Sequence, residues 1–403
     1  MDKMADVLGR AGAWCGQNKY LSAIKNAFQN FMPLTIAGAI GVLWCNVLVN
    51  DQTGLGLFFK PIMALDFLNP AFQAVNFCTI SCITVGITLG IAQEIGVWNM
   101  GAERAGYIPG LVGLAAWLSV TNTSHMVDGA KEAFTGIAGN ELGATGLFTG
   151  MIIGVLSVEL FCFFEKQDAL KIKMPEQVPP GVARAFEVLV PATITLIITA
   201  CIGSACYNLT GLYLNDVIKN GIQGPLGAVG ATIPGVMIIY LVIMLFWLVG
   251  IHGNNMLSAV KEALFTPLAL ENVEAFNKGE TPKNIINMYF LQMTGEFGGS
   301  GVTIGLVIAI MIFSKREDNK AIATLSLVPG LFNINETVTF GIPMVLNPIL
   351  GIPFVFACLV TIIVGYVLTV IGFCPVACLT VPWTTPPILF GFLATGANIM
   401  GGV

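Results

Sequence analysis

The sequence predicts an all-α polytopic membrane protein of about ten transmembrane helices, and three observations lead there. Charged residues are 10% of the 403 (18 Lys+Arg, 23 Asp+Glu) while 55% are apolar, where a soluble domain carries about 25% charge. The mean hydropathy is +0.81. The apolar residues form unbroken runs, not the alternating ten-residue segments of a transmembrane barrel. So few charges cannot cover the surface of a soluble protein this large, which excludes a soluble enzyme or a nucleic-acid binder. Disorder is excluded by the same composition. The length allows roughly ten spans of about 20 residues with their loops.

The runs follow in order. Phe31 to Val49 is the first and ends at Asn50 and Asp51. The second runs from about Pro70 to Gly90, the third from Ile108 to Val120, and the fourth from Ala144 to Phe164 with Glu159 embedded. A fifth spans about Val188 to Tyr207 and a sixth about Leu226 to Ile251. Val302 to Phe313 follows a polar stretch, and the 67 residues from Thr337 to Val403 carry no charge at all. That tract is long enough for two spans plus non-helical or re-entrant backbone. Between Ile251 and Ser314, half-length apolar pieces rich in Gly alternate with Glu262, Glu271, Glu274, Lys278, Glu280, Lys283 and Glu296. Such pieces mark re-entrant hairpins that line a substrate site.

Cations orient the chain. Lys3, Arg10, Lys19 and Lys25 precede the first run, and Lys166, Lys171, Lys173 and Arg184 lie between the fourth and fifth. Four spans between two basic regions put both, and the N-terminus, on the cytoplasmic side. The loops Asp51–Asp66 and Thr121–Glu141 then face outward, and the cluster Lys315, Arg316, Lys320 faces inward. The stretch 212–224 is polar and Gly-containing; it reads either as an ordinary loop or as a short interfacial helix joining two membrane domains. Eight of the ten cysteines sit in apolar runs and none has CxxC spacing, so they read as small buried hydrophobes. The charged, amphipathic start MDKMADVLGRAGAW is not a cleaved signal peptide.

Chemistry concentrates in few residues. Of two histidines, His125 lies in an outward loop and reads as a solvated residue. His252 ends the sixth run in WLVGIHGNN. It reads as a structural helix-end residue or as part of a polar site, and the flanking Gly, Asn and Trp favour the site. Glu336 sits in GLFNINET with apolar sequence on both sides. A carboxylate there must pair, take up a proton or serve function. Gly341, Pro343, Asn347, Pro348, Gly351 and Pro353 argue against a simple helix after it. Trp247, and Trp383 in VPWTTPP, offer faces for sugar stacking, although each alone also suits an interfacial belt. Glu94, Glu159 and Glu296 lie near run ends and read as paired or snorkelling. No metal, cofactor or nucleophile-elbow pattern is present.

On these residues the chain resembles the membrane subunit (enzyme IIC) of the lactose/cellobiose/diacetylchitobiose branch of the bacterial phosphoenolpyruvate-dependent sugar phosphotransferase system. The matching stretches are AIKNAFQNFMPLTIAGA at 23–39, KIKMPEQVPPGVARAFEVLVP at 171–191, GIHGNN at 250–255, FNINETVTFGIPMVLNPILGIPF at 332–354 and VPWTTPPILFGFLATG at 381–396. Lys25-Asn26 stands where many relatives carry Arg-Asp, and Ile-Lys-Asn is most like the diacetylchitobiose members. Thr337 stands where a Pro is common, and the family pattern predicts a further hydrophobic segment beyond Val403.

The resemblance implies a homodimer in the bacterial cell membrane. Residues 1–211 would form the N-terminal membrane domain and dimer interface, 212–224 an amphipathic linker, and 225–403 a sugar-binding domain with two re-entrant hairpins. It also implies elevator-like translocation of a disaccharide, whose primary hydroxyl is phosphorylated by a phosphocysteine of enzyme IIB. Enzyme IIB is itself charged through enzyme IIA and HPr. The phosphocysteine lies on that partner, so this chain is not a complete enzyme. Glu336 is then expected to hold and partly deprotonate the accepting hydroxyl, with His252 orienting it. Asn254, Asn255 and Asn335 would bond sugar or hairpin backbone, Trp247 and Trp383 would stack, and Asn140 and Lys25 would reach the distal sugar. The competing reading is a proton-coupled secondary disaccharide transporter that uses the same Glu336 and His252.

Overall fold

A computed structural model describes residues 2–51, 55–125, 134–175, 177–342 and 344–403, with the side chains of 2–5 and 348 outside that description. Pro343 and residues 126–133 of the loop Thr121–Glu141 therefore lie outside the described residues. Within them the chain is helical nearly throughout, with a short antiparallel hairpin that pairs Ser124 with Thr135 and His125 with Phe134.

Among the described residues, four helices are long and apolar enough to cross a bilayer: Lys19–Leu48, Ala144–Glu165, Pro180–Thr210 and Ile349–Val370. Two bent pairs, Lys60–Ser81 with Ile83–Met100 at 43° and Leu214–Gly230 with Ile233–Leu248 at 77°, bring the number to six. Ile108–Val120 and Thr303–Phe313 are apolar but shorter. At about 1.5 Å per residue they are too short to cross about 30 Å of hydrocarbon. Residues 212–224, open between loop and helix from sequence, are largely helical, with Leu214–Ile218 continuing into a π turn at Lys219–Gln223.

Prolines start helices here more often than they break them. Proline stands in the first two positions of Ile108–Val120, Pro180–Thr210, Ile233–Leu248, Pro348–Val370 and Pro387–Ala394. Its missing N–H is no loss in the first turn. The helix after Glu336 is interrupted as expected, ending at Gly341 well short of the next one, but the reading is corrected for the residues that follow. Pro348, Gly351 and Pro353 belong to one 23-residue helix. It is capped by Asn347, whose Oδ1 accepts from the amides of Ile349 (2.9 Å) and Leu350 (3.1 Å).

The chain packs as two compact units, one of residues 1–17, 34–78 and 226–403, the other of 18–33 and 79–225. The second unit is built on Ile83–Met100, Ile108–Val120, Ala144–Glu165 and Pro180–Thr210. Trp117, Ala116, Val120 and Ile153 form a buried cluster there, flanked by Val85, Leu114, Leu142, Leu196 and Leu214. Gly150 and Gly154 lie one turn apart on Ala144–Glu165 and face Thr84 and Thr88, the small-residue contact that lets membrane helices approach closely. Several charges embedded in this unit are partnered. Lys19 pairs with Glu159 at 2.5 Å, Asn26 Nδ2 donates to Glu94 at 3.0 Å, and Arg104 and Arg184 both reach Glu165 at 2.8 Å.

The chain passes between the units four times, and each passage falls on a helix irregularity. These are the break at Asn18, Pro33 inside Lys19–Leu43, the π turn Phe77–Ser81, and Gly224-Pro225 directly after the π turn Lys219–Gln223.

Candidate functional site

The site lies in the first unit and begins where the helix Ile233–Leu248 ends. Gly250 adopts φ +81°, a left-handed turn that glycine makes without strain. The chain then re-enters a short helix, Gly253–Met256, with His252 as its N-cap. His252 Nδ1 accepts the backbone N–H of Asn255 at 3.3 Å. A neutral imidazole that accepts at Nδ1 carries its proton on Nε2. Nε2 faces Glu336 Oε1 at 3.6 Å. That is beyond hydrogen-bonding distance. The two side chains are 37% and 45% exposed, so the pair is open to a ligand rather than closed on itself.

Trp247 lies behind the imidazole. Its ring is fully buried, with its centroid 4.3 Å from that of His252, so it backs the histidine and presents no free face to a ligand in this conformation. The amide of Leu346 donates to the carbonyl of Leu248 at 2.8 Å, which ties this turn to the segment following Glu336.

Glu336 opens the helix Glu336–Gly341, so its carboxylate stands at the end where backbone N–H groups are free. The turn before it is held by Asn333, at φ +63°. Asn333 Oδ1 accepts from Gly298 N at 2.8 Å, while its Nδ2 donates to the carbonyls of Trp383 (2.5 Å) and Thr385 (3.0 Å). One amide therefore joins three segments distant in sequence: the glycine-rich turn at 295–302, the approach to Glu336, and VPWTTPP. Trp383 is 45% exposed and offers a face for stacking.

A second polar chain runs beneath. Buried Asn335 donates to Ser300 O (3.1 Å) and Thr339 Oγ1 (3.2 Å). Asn254 Nδ2 donates to Ser300 Oγ at 2.9 Å. Asn254 Oδ1 accepts from Lys261 Nζ at 3.4 Å. Lys261, buried, forms an ion pair with Glu296, and Glu296 also accepts from Tyr240 OH at 3.1 Å.

Of the expected residues, Asn254 and Asn335 share this network, His252 and Glu336 lie beside it and face each other, Trp247 backs His252, and Trp383 is held through its carbonyl by Asn333. Asn255 contributes its backbone N–H and is exposed. Asn140 and Lys25 belong to the other unit. Asn140 is exposed on the short helix Gly139–Leu142 beside buried Glu141, whose carboxyl burial pushes above the ordinary range. Lys25 is half-buried on Lys19–Leu43. Sequence reasoning missed Asn333, Lys261, Tyr240 and Ser300, and placed Glu296 outside the site. A signal existed for Asn333, which lies two residues before Asn335 in the same motif, and Asn is the non-glycine residue that best tolerates left-handed φ. The arrangement, a carboxylate acceptor opposite an imidazole donor with amides and an indole around them, suits a polyhydroxyl ligand.

Comparison with known proteins agrees. Residues 25–358 match the model of the family described as Phosphotransferase system, EIIC. The chain is 33% identical over its whole length to the oligo-beta-mannoside-specific EIIC component of the PTS system of Bacillus subtilis (strain 168), covering 89% of that protein. It is 30% identical to the cellobiose-specific EIIC component of Lactococcus lactis subsp. lactis (strain IL1403), with 98% of this chain and 91% of the relative covered. Among solved structures it superposes on the transporter ChbC, the IIC component from the N,N'-diacetylchitobiose-specific phosphotransferase system. There the TM-score is 0.87 at 30% identity, with 97% of this chain and 90% of that chain covered. With the matched model spanning most of the chain and the fold shared end to end, this protein belongs to the EIIC family of membrane permeases of the sugar phosphotransferase system.

Proposed function

We propose that this chain takes up a β-linked disaccharide, of the diacetylchitobiose, cellobiose or lactose type, and presents its primary hydroxyl for phosphorylation by enzyme IIB at the cytoplasmic face. The observation that carries the reading is the open pair of His252 and Glu336. The imidazole has its donor side turned to the ligand space, because its other nitrogen is occupied by Asn255 N–H. The neutral ring is thus a donor there, which leaves Glu336 as the acceptor for the hydroxyl proton. The sugar oxygen attacks phosphorus of the IIB phosphocysteine; the O–P bond forms, the S–P bond breaks, the thiolate leaves and Glu336 takes the proton. Phosphoryl transfer has a loose transition state, so placing the hydroxyl matters more than strong base catalysis. Trp383 stacks on a sugar ring, with Asn254 and Asn335 shaping the floor.

The wider frame is a homodimer of about ten spans per chain with two re-entrant hairpins and a cytoplasmic N-terminus. Residues 1–211 serve as the dimer-forming domain and 225–403 as the domain that moves, joined at 212–224, with Asn140 and Lys25 reaching the distal sugar ring. Enzyme IIA and HPr act indirectly through IIB. The names of the two relatives above, both sugar-specific EIIC components, support the sugar-permease part of this frame.

The test is uptake into vesicles holding the purified protein, enzyme IIB and a phosphoenolpyruvate-driven phosphoryl source. The sugar is expected to appear inside as its phosphate. Glu336→Gln, nearly isosteric, is expected to lower the phosphorylation rate by about a hundredfold or more, the scale of a lost general base, while His125→Ala leaves it unchanged. Accumulation of unmodified sugar driven by a proton gradient alone would replace this reading with proton-coupled transport.

A further inference from the structure

Lys261 is the unexpected residue of the first unit. A lysine is seldom buried, yet this one is 5% exposed inside the helix Ser258–Asn277. It meets Glu296, Tyr240 and Asn254, each on a different segment. Tyr240 lies on Ile233–Leu248, Asn254 on Gly253–Met256, and Glu296 in the turn after Met288–Thr294. The Tyr240 ring lies 5.8 Å from Lys261 Nζ, and its hydroxyl donates to the same Glu296 oxygen that the lysine meets.

Such a pair is a poor device for stability alone. Removing two charges from water costs several kcal/mol per ion, and apolar pairs of similar volume often serve as well. Its geometry is what distinguishes it. From Lys261 the bonds lead to Asn254 Oδ1, from Asn254 Nδ2 to Ser300 Oγ, and from the Ser300 carbonyl to Asn335 Nδ2. Asn254 is two residues from His252, and Asn335 directly precedes Glu336. The chain thus passes beside both groups that face each other at 3.6 Å, through Asn254 near His252 and Asn335 next to Glu336.

We propose that Lys261 and Glu296 are a positioning pair, a buried ion pair that sets the distance between His252 and Glu336 through Asn254, Ser300 and Asn335. The proposal rests on the functional reading above for its kinetic consequence, but not for its geometric one. Lysine orients Asn254 by taking its oxygen, which leaves the amide N–H₂ to bond Ser300. Without the cation the amide is free to rotate and the link to the 295–302 turn is lost.

The test uses the full-length protein with Lys261→Met and Glu296→Leu combined, a replacement that leaves no unpaired charge. The double variant is expected to fold, as read by monodispersity and thermal unfolding in detergent. At saturating sugar and phosphorylated IIB its kcat is expected to fall about tenfold or more while KM for sugar moves less than about threefold, because a misplacement of about 1 Å is enough for such a loss. In a Glu336→Gln background the same pair is expected to cost less than about twofold more, since residues acting as a unit are not additive. A merely structural pair would give multiplying losses, and that result would overturn the proposal. A geometric readout stands apart from turnover. His252→Cys with Glu336→Cys leaves the relay from Lys261 to Asn335 intact, and a short bis-thiol reagent is expected to bridge the two thiols about fivefold more slowly once the ion pair is replaced, because cross-linking over a fixed span, like a disulfide, tolerates little displacement. Equal rates would refute the positioning role whatever the kinetics. If Glu336→Gln alone leaves phosphorylation intact, the functional reading fails, and the cross-linking rate still decides the role of the pair. Should the double variant not fold, Glu296→Gln keeps the acceptor for Tyr240 and removes only the charge; the same pattern is expected at smaller size, and wild-type kcat and cross-linking in that variant would overturn the proposal.

Discussion

Replacing Asn333 with alanine removes more than its size implies. The side chain makes three hydrogen bonds, from Gly298 N at 2.8 Å and to the carbonyls of Trp383 and Thr385 at 2.5 and 3.0 Å. Each such bond is worth about 1 kcal/mol net, and more where the abandoned partner stays buried, as Gly298 is. Alanine must also hold φ near +63°, which costs an ordinary L-residue about 1 kcal/mol. The total is about 4 kcal/mol, shared between global stability and assembly of the site. If one third is expressed in assembly, sugar affinity falls about tenfold, since 1.4 kcal/mol is one decade. Asn333→Gly restores the backbone freedom and none of the bonds, so it is expected to recover only about 1 kcal/mol of the loss. Calorimetric titration of the detergent-solubilised protein with diacetylchitobiose, cellobiose and lactose, beside thermal unfolding, reads both parts. Wild-type affinity and an unchanged melting temperature in the alanine variant would show that the three segments are held by something other than this amide.

Two further predictions concern packing and stacking. Trp383→Ala is expected to weaken sugar binding by about 0.5–1.5 kcal/mol, the scale of an aromatic contact, with little effect on melting because the ring is half exposed; an unchanged Kd in titration would remove it from the site. Gly150→Leu is expected to destabilise the second unit by about 2 kcal/mol or more through overpacking, since its Cβ would meet Thr84 and Thr88. A melting temperature equal to that of the parent would refute the close helix contact drawn there.

How much of this was readable beforehand depended on the kind of signal. Glu336 and His252 announced themselves because charge and imidazole are scarce in an apolar chain, and scarcity needs no tertiary information. Pro348, Gly351 and Pro353 differ from expectation, because a residue that breaks a helix in its interior can also start one at its edge. Composition does not say which end is meant. Lys261 was passed over because it sits in a stretch with many charges, where a lysine looks solvated until packing buries it. Asn333 carried a signal in its motif, but its partners lie 35, 50 and 52 positions away, and no local rule reaches that far.

The four passages between the units carry a mechanical consequence. A regular helix resists bending because each turn is tied to the next by a backbone hydrogen bond. At Asn18, Pro33, the Phe77–Ser81 turn and Gly224-Pro225 that tie is already absent or shifted. Compliance is therefore built into the connecting strands of the chain themselves. A rigid-body displacement of one unit would strain these joints before it strained either interior. Restoring the missing backbone bond at one joint, for instance with Pro33→Ala, would stiffen that connection without touching any residue of the candidate site.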